Sequence, residues 1–317
     1  MKKLWKYLKI IITIGVISYF VYYFFHNKED FSIVLSTQFR DIFLIGVLYF
    51  VVFLLNGVFI KLILKSFDKN ITVFECLYVS VISSLGNYFL PMRGGAVIRS
   101  VYLKKKFNFQ YSHFVSTLYG YYVIVFLVNS FFALLSLFYI NSKFGLSSIP
   151  LYLFFGGLFL FMLFLSLIRF PIAKIKINKT NILNRIVKVL TNILKGWNMI
   201  VENKVLLRSL IVNTLMTFLV HIILYWIEFN ALGIENSFVN VILYSSLSGV
   251  SLLVSLTPGS LGIREGIFVI TSDILSITGD QVMQLALLDR GIMVLVLILI
   301  FIIIWIQRNF IQLVKRG

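Results

Sequence analysis

The chain of 317 residues is 60% hydrophobic and 13% charged, and its mean hydropathy is +0.97. A soluble core of this length does not need so much apolar surface, so the composition excludes an ordinary soluble protein and predicts a polytopic membrane protein. The formal net charge of +17 comes from Lys and Arg in short segments between apolar runs. This is the positive-inside pattern, and it argues against nucleic acid as a partner. The single cysteine and three scattered histidines give no disulfide and no metal-ligand spacing, so we expect no metal or other cofactor.

Apolar runs separated by basic loops predict an all-α fold with about six spanning helices. The predicted spans are 10–25, 42–60, 114–140, 151–168, 210–229 and 283–306. Lysines precede the first span and no small-residue cleavage site follows it, so residues 1–40 are predicted to be an uncleaved span with a cytoplasmic N-terminus, followed by an outer loop. Arg308, Lys315 and Arg316 follow the last span and predict a cytoplasmic C-terminus at the cell membrane.

Two further apolar segments, 72–103 and 239–277, are each broken and are predicted to be re-entrant hairpins that return to their own side of the membrane. Basic residues at both ends of the first hairpin predict cytoplasmic ends. Acidic residues at the ends of the second hairpin predict entry from outside. Thr72 and Glu75 open the first hairpin with the spacing of a capping box, in which the Glu side chain returns to the backbone of the cap.

The order span, hairpin, span occurs twice, over 42–140 and over 210–306, within two predicted repeats at 41–170 and 209–317. The loop charges place the two units in opposite orientations, so we expect an inverted repeat whose two broken tips meet near the midplane. Between the units lies 171–208, which is predicted to be a basic amphipathic linker on the cytoplasmic leaflet. A connector packed beneath the two halves is an equally good interpretation of that segment.

The two breaks carry the strongest functional signal. A helix that begins inside the membrane has unpaired N–H groups and a positive dipole end, which together favour an anion. Glycines at both breaks are expected to let a ligand approach the backbone. Arg93, Arg99 and Arg264 add forked donors for phosphate oxygens, so a lipid phosphate is the expected substrate group. The alternative is that the breaks are packing kinks whose arginines snorkel or pair internally.

The candidate substrate-binding residues are Arg93, Gly94, Gly95, Arg99, Pro258, Gly259, Gly262, Arg264, Glu265 and Arg290, with His221, Glu228 and Asp289 as secondary candidates. Arg290 lies inside the last span and needs a carboxylate partner, for which Glu265 and Glu228 are available. His221, Tyr225 and Glu228 share one helix face. They would relay a proton or hold a headgroup, and a structural hydrogen-bonded cluster is the alternative.

Three segments carry a family resemblance, namely Leu90-Pro-Met-Arg-Gly-Gly-Ala-Val-Ile-Arg99, Thr257-Pro-Gly-Ser-Leu-Gly-Ile-Arg-Glu-Gly266 and Asp289-Arg290. They resemble the lysylphosphatidylglycerol synthase transmembrane-region family of flippase-like membrane proteins, and the resemblance covers nearly the whole chain. Pro258, Gly259, Gly262 and Glu265 match the second motif, whereas Ala96 stands where family members usually carry Glu. The family's soluble aminoacyl-transferase domain does not occur in the sequence, so the resemblance implies the translocating part and not the synthase.

The preferred hypothesis is a non-enzymatic translocase that moves an anionic phospholipid or a polyprenyl-phosphate lipid between leaflets, with Glu265 and Arg290 as a gating ion pair. One alternative is an integral-membrane transferase with a lipid-phosphate donor, for which Glu265, Glu228 or His221 would be the general base. The other is a non-catalytic partner that docks a lipid-modifying enzyme through the basic linker. No Gly-x-x-x-x-Gly-Lys-Ser/Thr motif occurs, so transport would be passive, ion-coupled or driven by product removal.

Overall fold

The computed structural model describes residues 28–90, 93–167, 191, 194 and 196–314. These residues form helices and connecting turns, without a β-strand. In chain order the helices are α1 (Lys28–Leu35), α2 (Phe39–Lys65), α3 (Val73–Phe89), α4 (Gly94–Phe107), α5 (Tyr111–Phe144), α6 (Ile149–Leu167), α7 (Lys204–Ala231), α8 (Phe238–Val250), α9 (Ile263–Ile270), α10 (Ser272–Leu275) and α11 (Gly279–Val314). The predicted first span, 10–25, lies outside the described residues.

Five of the described helices are long and apolar enough to cross a membrane, namely α2, α5, α6, α7 and α11. They coincide with the second to sixth predicted spans, which confirms an all-α polytopic membrane protein. In α6 only Phe155 and Met162 are buried, whereas Leu153 and Leu160 are exposed. A helix with apolar residues on nearly all sides and so little protein contact is suited to a hydrocarbon environment.

The two hairpins break where the sequence predicted. In the first, α3 ends at Phe89 and α4 begins at Gly94; in the second, α8 is followed by two 3₁₀ turns before α9 begins at Ile263. α3 has 17 residues, which is roughly 26 Å at 1.5 Å per residue and is shorter than the ~30 Å hydrocarbon core. The other helices of the two hairpins are shorter still, so each arm is shorter than the hydrocarbon core, as a re-entrant hairpin requires.

The order span, hairpin, span is seen twice in the structure, first as α2, α3–α4 and α5, then as α7, α8–α10 and α11. The two units pack into each other: α2 lies along α7, and α8 lies along α5. Aromatic rings fill the contacts, for example Phe132 of α5 against Phe218 of α7, with centroids 4.8 Å apart. The opposite orientation of the two units in the membrane stays a prediction, as do the domain boundaries.

The described end of the linker packs against the helical core. Residues 196–202 are helical, and Trp197 and Ile200 are fully buried. The ring of Trp197 contacts Tyr119 of α5 with centroids 5.3 Å apart. This part of 171–208 has the contacts expected of a connector beneath the two halves. Its proposed contact with the leaflet stays a prediction.

Glu75 joins the open end of the first hairpin to the last span. The predicted cap is half right: Thr72 Oγ1 accepts from the Glu75 N–H at 3.2 Å. The Glu75 carboxylate, however, accepts from Lys106 Nζ at 2.6 Å and Arg308 Nη2 at 2.5 Å, and from the Tyr102 hydroxyl. The return of Glu75 to the cap was therefore wrong, because two cations are stronger donors to a carboxylate than one backbone N–H.

We expect the Glu75 cluster to make stability depend on pH. Burial acts to raise the pKa of Glu75, but the hydrogen bonds from Lys106, Tyr102 and Arg308 outweigh it and leave the pKa below its usual value. The contribution to stability is therefore complete above about pH 4.3, the ordinary Glu value, and is lost as pH falls through the lower folded value. Glu75→Gln should cost about 1–3 kcal/mol at neutral pH.

Thermal unfolding in detergent, at neutral pH and at about pH 3, checks this expectation. The difference in stability between wild type and Glu75→Gln should shrink at the acidic pH. Glu202→Gln is the matched control, since Glu202 is exposed. A difference that stays constant across this pH range would contradict the assigned role of the carboxylate.

Candidate functional site

A cavity of about 300 Å³ lies where the two helix breaks meet. α3 contacts the turn Pro258–Ser260, and a Cβ added to Gly259 would lie 3.1 Å from the ring of Tyr88. The two tips are therefore in contact, as the sequence predicted, while their depth in the membrane stays a prediction. The other walls of the cavity come from α2, α5, α7, α8 and α11.

Three arginines and no carboxylate occur among the described residues that line this cavity. Arg93 comes from the first tip, Arg264 from the second tip and Arg290 from the last span. Asn56 and Asn129 add amide groups, serine and threonine side chains add hydroxyl groups, and phenylalanine, valine and leucine side chains add apolar surface. An electropositive cavity with both polar and apolar surface is suited to a ligand that combines an anionic group with an apolar part.

Arg290 closes the second break by binding Glu265 and the backbone of Gly259. Its Nε donates to Glu265 Oε1 at 2.8 Å, and its Nη1 donates to the Gly259 carbonyl at 2.8 Å. Glu265 Oε2 in turn accepts from the Gly262 N–H at 2.8 Å. Gly262 has no side chain to accept from the first N–H groups of α9, so only one half of a capping box is formed, in which the carboxylate three residues later accepts from the Gly262 N–H. Of the two partners considered for Arg290, Glu265 is the one that the structure supplies.

Arg264 pairs with the residue that precedes Arg290. Its Nη2 donates to Asp289 Oδ2, and the hydroxyl of Tyr49 on α2 donates to the other oxygen of Asp289. Two adjacent residues of α9 thus pair with two adjacent residues of α11, with the charges reversed in the second pair. We call this arrangement, Arg264–Asp289 and Glu265–Arg290, the double ion pair. It neutralises Arg264 of the second tip and Arg290 of the last span.

Arg93 differs from the other two arginines that line the cavity. Its Nη1 donates to the Tyr122 hydroxyl, and its guanidinium lies 5.0 Å from the centre of that ring. No carboxylate of the described residues forms an ion pair with it. Its φ of 54° places it in the left-handed region, which costs a residue with a Cβ about 1–2 kcal/mol. Arg93 is therefore a strained residue whose charge is not neutralised, at the start of α4.

Arg99 is not in contact with this cavity. It lines a smaller cavity of about 160 Å³ beside the first hairpin, with its guanidinium 5.1 Å from the centre of the Phe114 ring. The structure therefore separates Arg99 from Arg264, although the sequence grouped them as donors to one phosphate.

The glycines of the first tip have a packing role. A Cβ on Gly95 would lie 1.7 Å from the Ser83 carbonyl oxygen, and a Cβ on Gly94 would lie 2.5 Å from the Leu90 Cβ. Neither glycine lines the cavity, and the expectation that they bring a ligand to the backbone stays a prediction. They allow α3 and α4 to approach each other closely, because any side chain at Gly95 would overlap the opposite arm.

At the second tip only one of the predicted backbone residues reaches the cavity. Gly259 lines it, with a φ of 58°, and its carbonyl accepts from Arg290. Pro258 opens the 3₁₀ turn, and Gly262 precedes α9 with a φ of 78°. Pro258 and Gly262 are absent from the described lining, so their contribution is to the shape of the break.

Gly95→Ala should destabilise the protein by about 1–3 kcal/mol, because the added methyl group must push the arms of the first hairpin apart. Gly156→Ala is the matched control, since nothing lies within 4 Å of a Cβ at this helical position. The control should be neutral or up to about 1 kcal/mol more stable. Thermal unfolding in detergent compares the two; equal stability of both variants would show that the close contact is not needed.

Of the three secondary candidates on α7 and α11, one lines the cavity and two do not. His221 lines the cavity, and its Nδ1 lies 2.7 Å from the Thr217 carbonyl oxygen. Glu228, which the sequence placed on the same helix face as His221, is fully buried and does not line the cavity. Neither of its carboxylate oxygens has a hydrogen-bond partner. Asp289 lies behind Arg264 in the double ion pair.

Several residues of the cavity were missed in the sequence. Tyr49, Asn56, Asn129 and Asn213 are polar residues inside apolar spans, and all line the cavity. Isolated amides in a spanning helix are a signal of an interior or functional position, because they are costly against lipid. That signal was present in the sequence but did not show that three different helices direct these residues to one place.

The fold and the site define a polytopic α-helical membrane protein with an electropositive cavity between two broken hairpins. The family model described as lysylphosphatidylglycerol synthase TM region matches residues 8–300. The chain belongs to this family, as its motifs indicated, and is thereby linked to the handling of anionic lipids in a membrane. A comparison with curated proteins found no match.

Proposed function

We propose that the protein is a translocase that moves an anionic, phosphate-containing lipid between the two leaflets of the cell membrane. The observation that carries this proposal is the cavity between the two tips, which three arginines line without a carboxylate among its described lining residues. Membership of a family linked to anionic lipids supports the same class of ligand. The substrate is an anionic phospholipid or a polyprenyl-phosphate lipid.

Arg93 is the residue proposed to bind the phosphate first. Its charge is not neutralised by any described carboxylate, and it lies where the dipole of α4 adds positive potential. Arg93 is half-buried and has no counter-ion among the described residues, so an incoming phosphate, which forms charge-assisted hydrogen bonds with a guanidinium group, is favoured at this position. The amides of Asn56 and Asn129 are available for the remaining headgroup oxygens.

The double ion pair is proposed to gate the cavity. Arg264 and Arg290 line the cavity while Asp289 and Glu265 hold them from behind. A phosphate in the cavity offers both guanidinium groups a second acceptor, so it weakens their pairing with the carboxylates. Because Arg290 also holds the Gly259 carbonyl, a change in this pairing is transmitted to the second tip, which contacts the first.

Translocation needs no covalent change in the lipid, so we propose a transporter and not an enzyme. His221 is the one described histidine in the cavity, and a transferase would use it as the general base. Product analysis separates the two functions, since a transferase alters the lipid whereas a translocase returns it unchanged. A membrane-bound lipid-modifying enzyme remains a proposed partner, and both termini are proposed to be cytoplasmic.

Reconstituted vesicles test the proposed function. Purified protein is placed in liposomes that contain a fluorescent anionic lipid, phosphatidylglycerol or polyprenyl phosphate, and a membrane-impermeant quencher is added outside. We expect the protected inner-leaflet fraction to become accessible to the quencher only when protein is present, with a smaller effect for the zwitterionic phosphatidylcholine. Folded protein that binds these lipids without exposing the inner leaflet would overturn the proposal.

A further inference from the structure

The smaller cavity beside the first hairpin adjoins the cavity between the tips. It has a volume of about 160 Å³ and is lined by residues of α2, α3, α4 and α5. Arg93, Asn87 and Tyr121 line both cavities. Since one water needs only about 10–15 Å³ of such volume, the smaller cavity has room for a group of several non-hydrogen atoms.

Two arginines line this smaller cavity, again without a carboxylate among its described lining residues. Arg93 and Arg99 both lack an ion pair among the described residues. The Nε of Arg99 is buried and has no hydrogen-bond partner. Ala96 also lines the cavity, and its small side chain leaves the space open and uncharged.

Arg93 and Arg99 differ in this respect from Arg264 and Arg290, the other two arginines near the helix breaks. In the double ion pair between the second hairpin and the last span, each arginine has its own buried carboxylate, Asp289 for Arg264 and Glu265 for Arg290. Buried charges are normally paired, because an uncompensated charge in a medium of low polarity is costly. Arg93 and Arg99 are half-buried, and the Arg99 Nε is buried without a partner, so the small cavity favours an anion that the described residues do not provide.

We propose that the smaller cavity is a second anion site and that the transported lipid carries two neighbouring phosphates, as in a polyprenyl diphosphate. Arg93 lies on the boundary of the two cavities and holds both phosphates, while Arg99 binds the second one. This assignment rests on the proposed function, because it identifies the class of headgroup that the translocase accepts. The same chemistry would suit a free phosphate beside a lipid with one phosphate, so the test separates the two sources.

Binding of fluorescent polyprenyl phosphate and polyprenyl diphosphate to the purified full-length chain in detergent tests the assignment. Wild type should bind the diphosphate at least about tenfold more tightly, since each added charge-assisted contact is worth about one factor of ten or more. Arg99→Gln should bring the ratio of the two affinities close to one. Ala96→Glu should do the same, because its carboxylate would neutralise Arg99, and it provides a second variant if Arg99→Gln fails to fold.

Arg40→Gln is the matched control, since Arg40 lies at the exposed start of α2, and it should keep the wild-type ratio. A wild-type ratio near one, or a ratio unchanged in both folded variants, would overturn the second site. In a further arm, inorganic phosphate is added to the polyprenyl phosphate. If it raises the affinity for the monophosphate lipid to that of the diphosphate, the site holds a free anion and the diphosphate class is wrong.

Transport in vesicles, measured with the same two lipids, tests the translocase separately from the second anion site. If neither lipid crosses although the affinity ratio behaves as expected, the translocase proposal fails and the second site stands. If both lipids cross at equal rates and bind equally, the translocase stands and the second site fails.

Discussion

Glu265→Gln should destabilise the protein by about 3–5 kcal/mol and abolish lipid transport. Glu265 accepts from Arg290 at 2.8 Å and from the Gly262 N–H at 2.8 Å. Replacing the carboxylate by an amide leaves a buried arginine without a counter-ion, which is the costly half of a broken buried pair. The second tip also loses the charged acceptor that caps α9, so its conformation should no longer be fixed.

A double-mutant cycle separates the ion pair from the cap. Arg290→Gln and the double variant Glu265→Gln with Arg290→Gln are compared with wild type by thermal unfolding. The double variant should be more stable than the sum of the single effects predicts, because neither charge is left alone. The exposed pair Arg40–Asp41 serves as the control, for which Asp41→Asn should cost no more than about 1 kcal/mol. Additive effects in the buried cycle would show that the two residues are not coupled.

Arg93→Gly should lower the rate of lipid transport roughly ten- to hundredfold while leaving stability nearly unchanged. The loss of transport follows from removing a charge-assisted contact worth about 1.5–3 kcal/mol. Stability has two opposing contributions. Glycine relieves the left-handed strain of about 1–2 kcal/mol, and the variant loses the hydrogen bond to Tyr122, worth about 0.5–1.5 kcal/mol.

The measurement is the rate of inner-leaflet exposure in vesicles, together with the unfolding temperature in detergent. Arg93→Lys keeps the charge and should retain more transport than Arg93→Gly, although it lacks the forked donors. Arg40→Gln controls for removal of an arginine at an exposed site. Transport at the wild-type rate in Arg93→Gly would place the phosphate elsewhere and would favour the alternative that the first break is a packing kink.

The two variants distinguish the roles assigned to the two tips. Arg264 of the second tip and Arg290 of the last span are neutralised by carboxylates, so changes in these pairs should affect stability and transport together. Arg93 has no such partner among the described residues, so its change should affect transport alone. If Glu265→Gln loses stability but keeps transport, the double ion pair stabilises the fold and does not gate the cavity.

The sequence by itself determined the membrane class, five described spans, and the places where the hairpins break. These features depend on local properties. An apolar run long enough to cross hydrocarbon is visible without any partner, and a proline close to glycines, as in residues 91–95 and 258–262, disfavours a continuous helix through the missing N–H and local sterics. The need of Arg290 for a carboxylate was also visible, because a charge inside a span is costly alone.

Tertiary structure alone decided which side chains meet. The sequence offered Glu265 and Glu228 as partners for Arg290, with Glu265 in the preferred hypothesis, and it gave no sign that Asp289 pairs with Arg264. Such pairs join helices whose residues are far apart in the chain, so they depend on how α9 lies against α11. The Glu75 carboxylate likewise pairs with Lys106 and Arg308 and not with the backbone of its own cap, because the ends of three helices meet there.

The sequence also could not predict which cavity Arg93 and Arg99 each line. Both arginines belong to one short motif, and nothing local indicates that only Arg93 reaches the cavity between the tips. Nor does a glycine in a broken helix reveal whether it faces a ligand or an opposing backbone, as Gly95 does. Hydropathy and backbone preference fix where a membrane helix begins and ends, whereas the packing of helices against one another fixes which charges share a cavity.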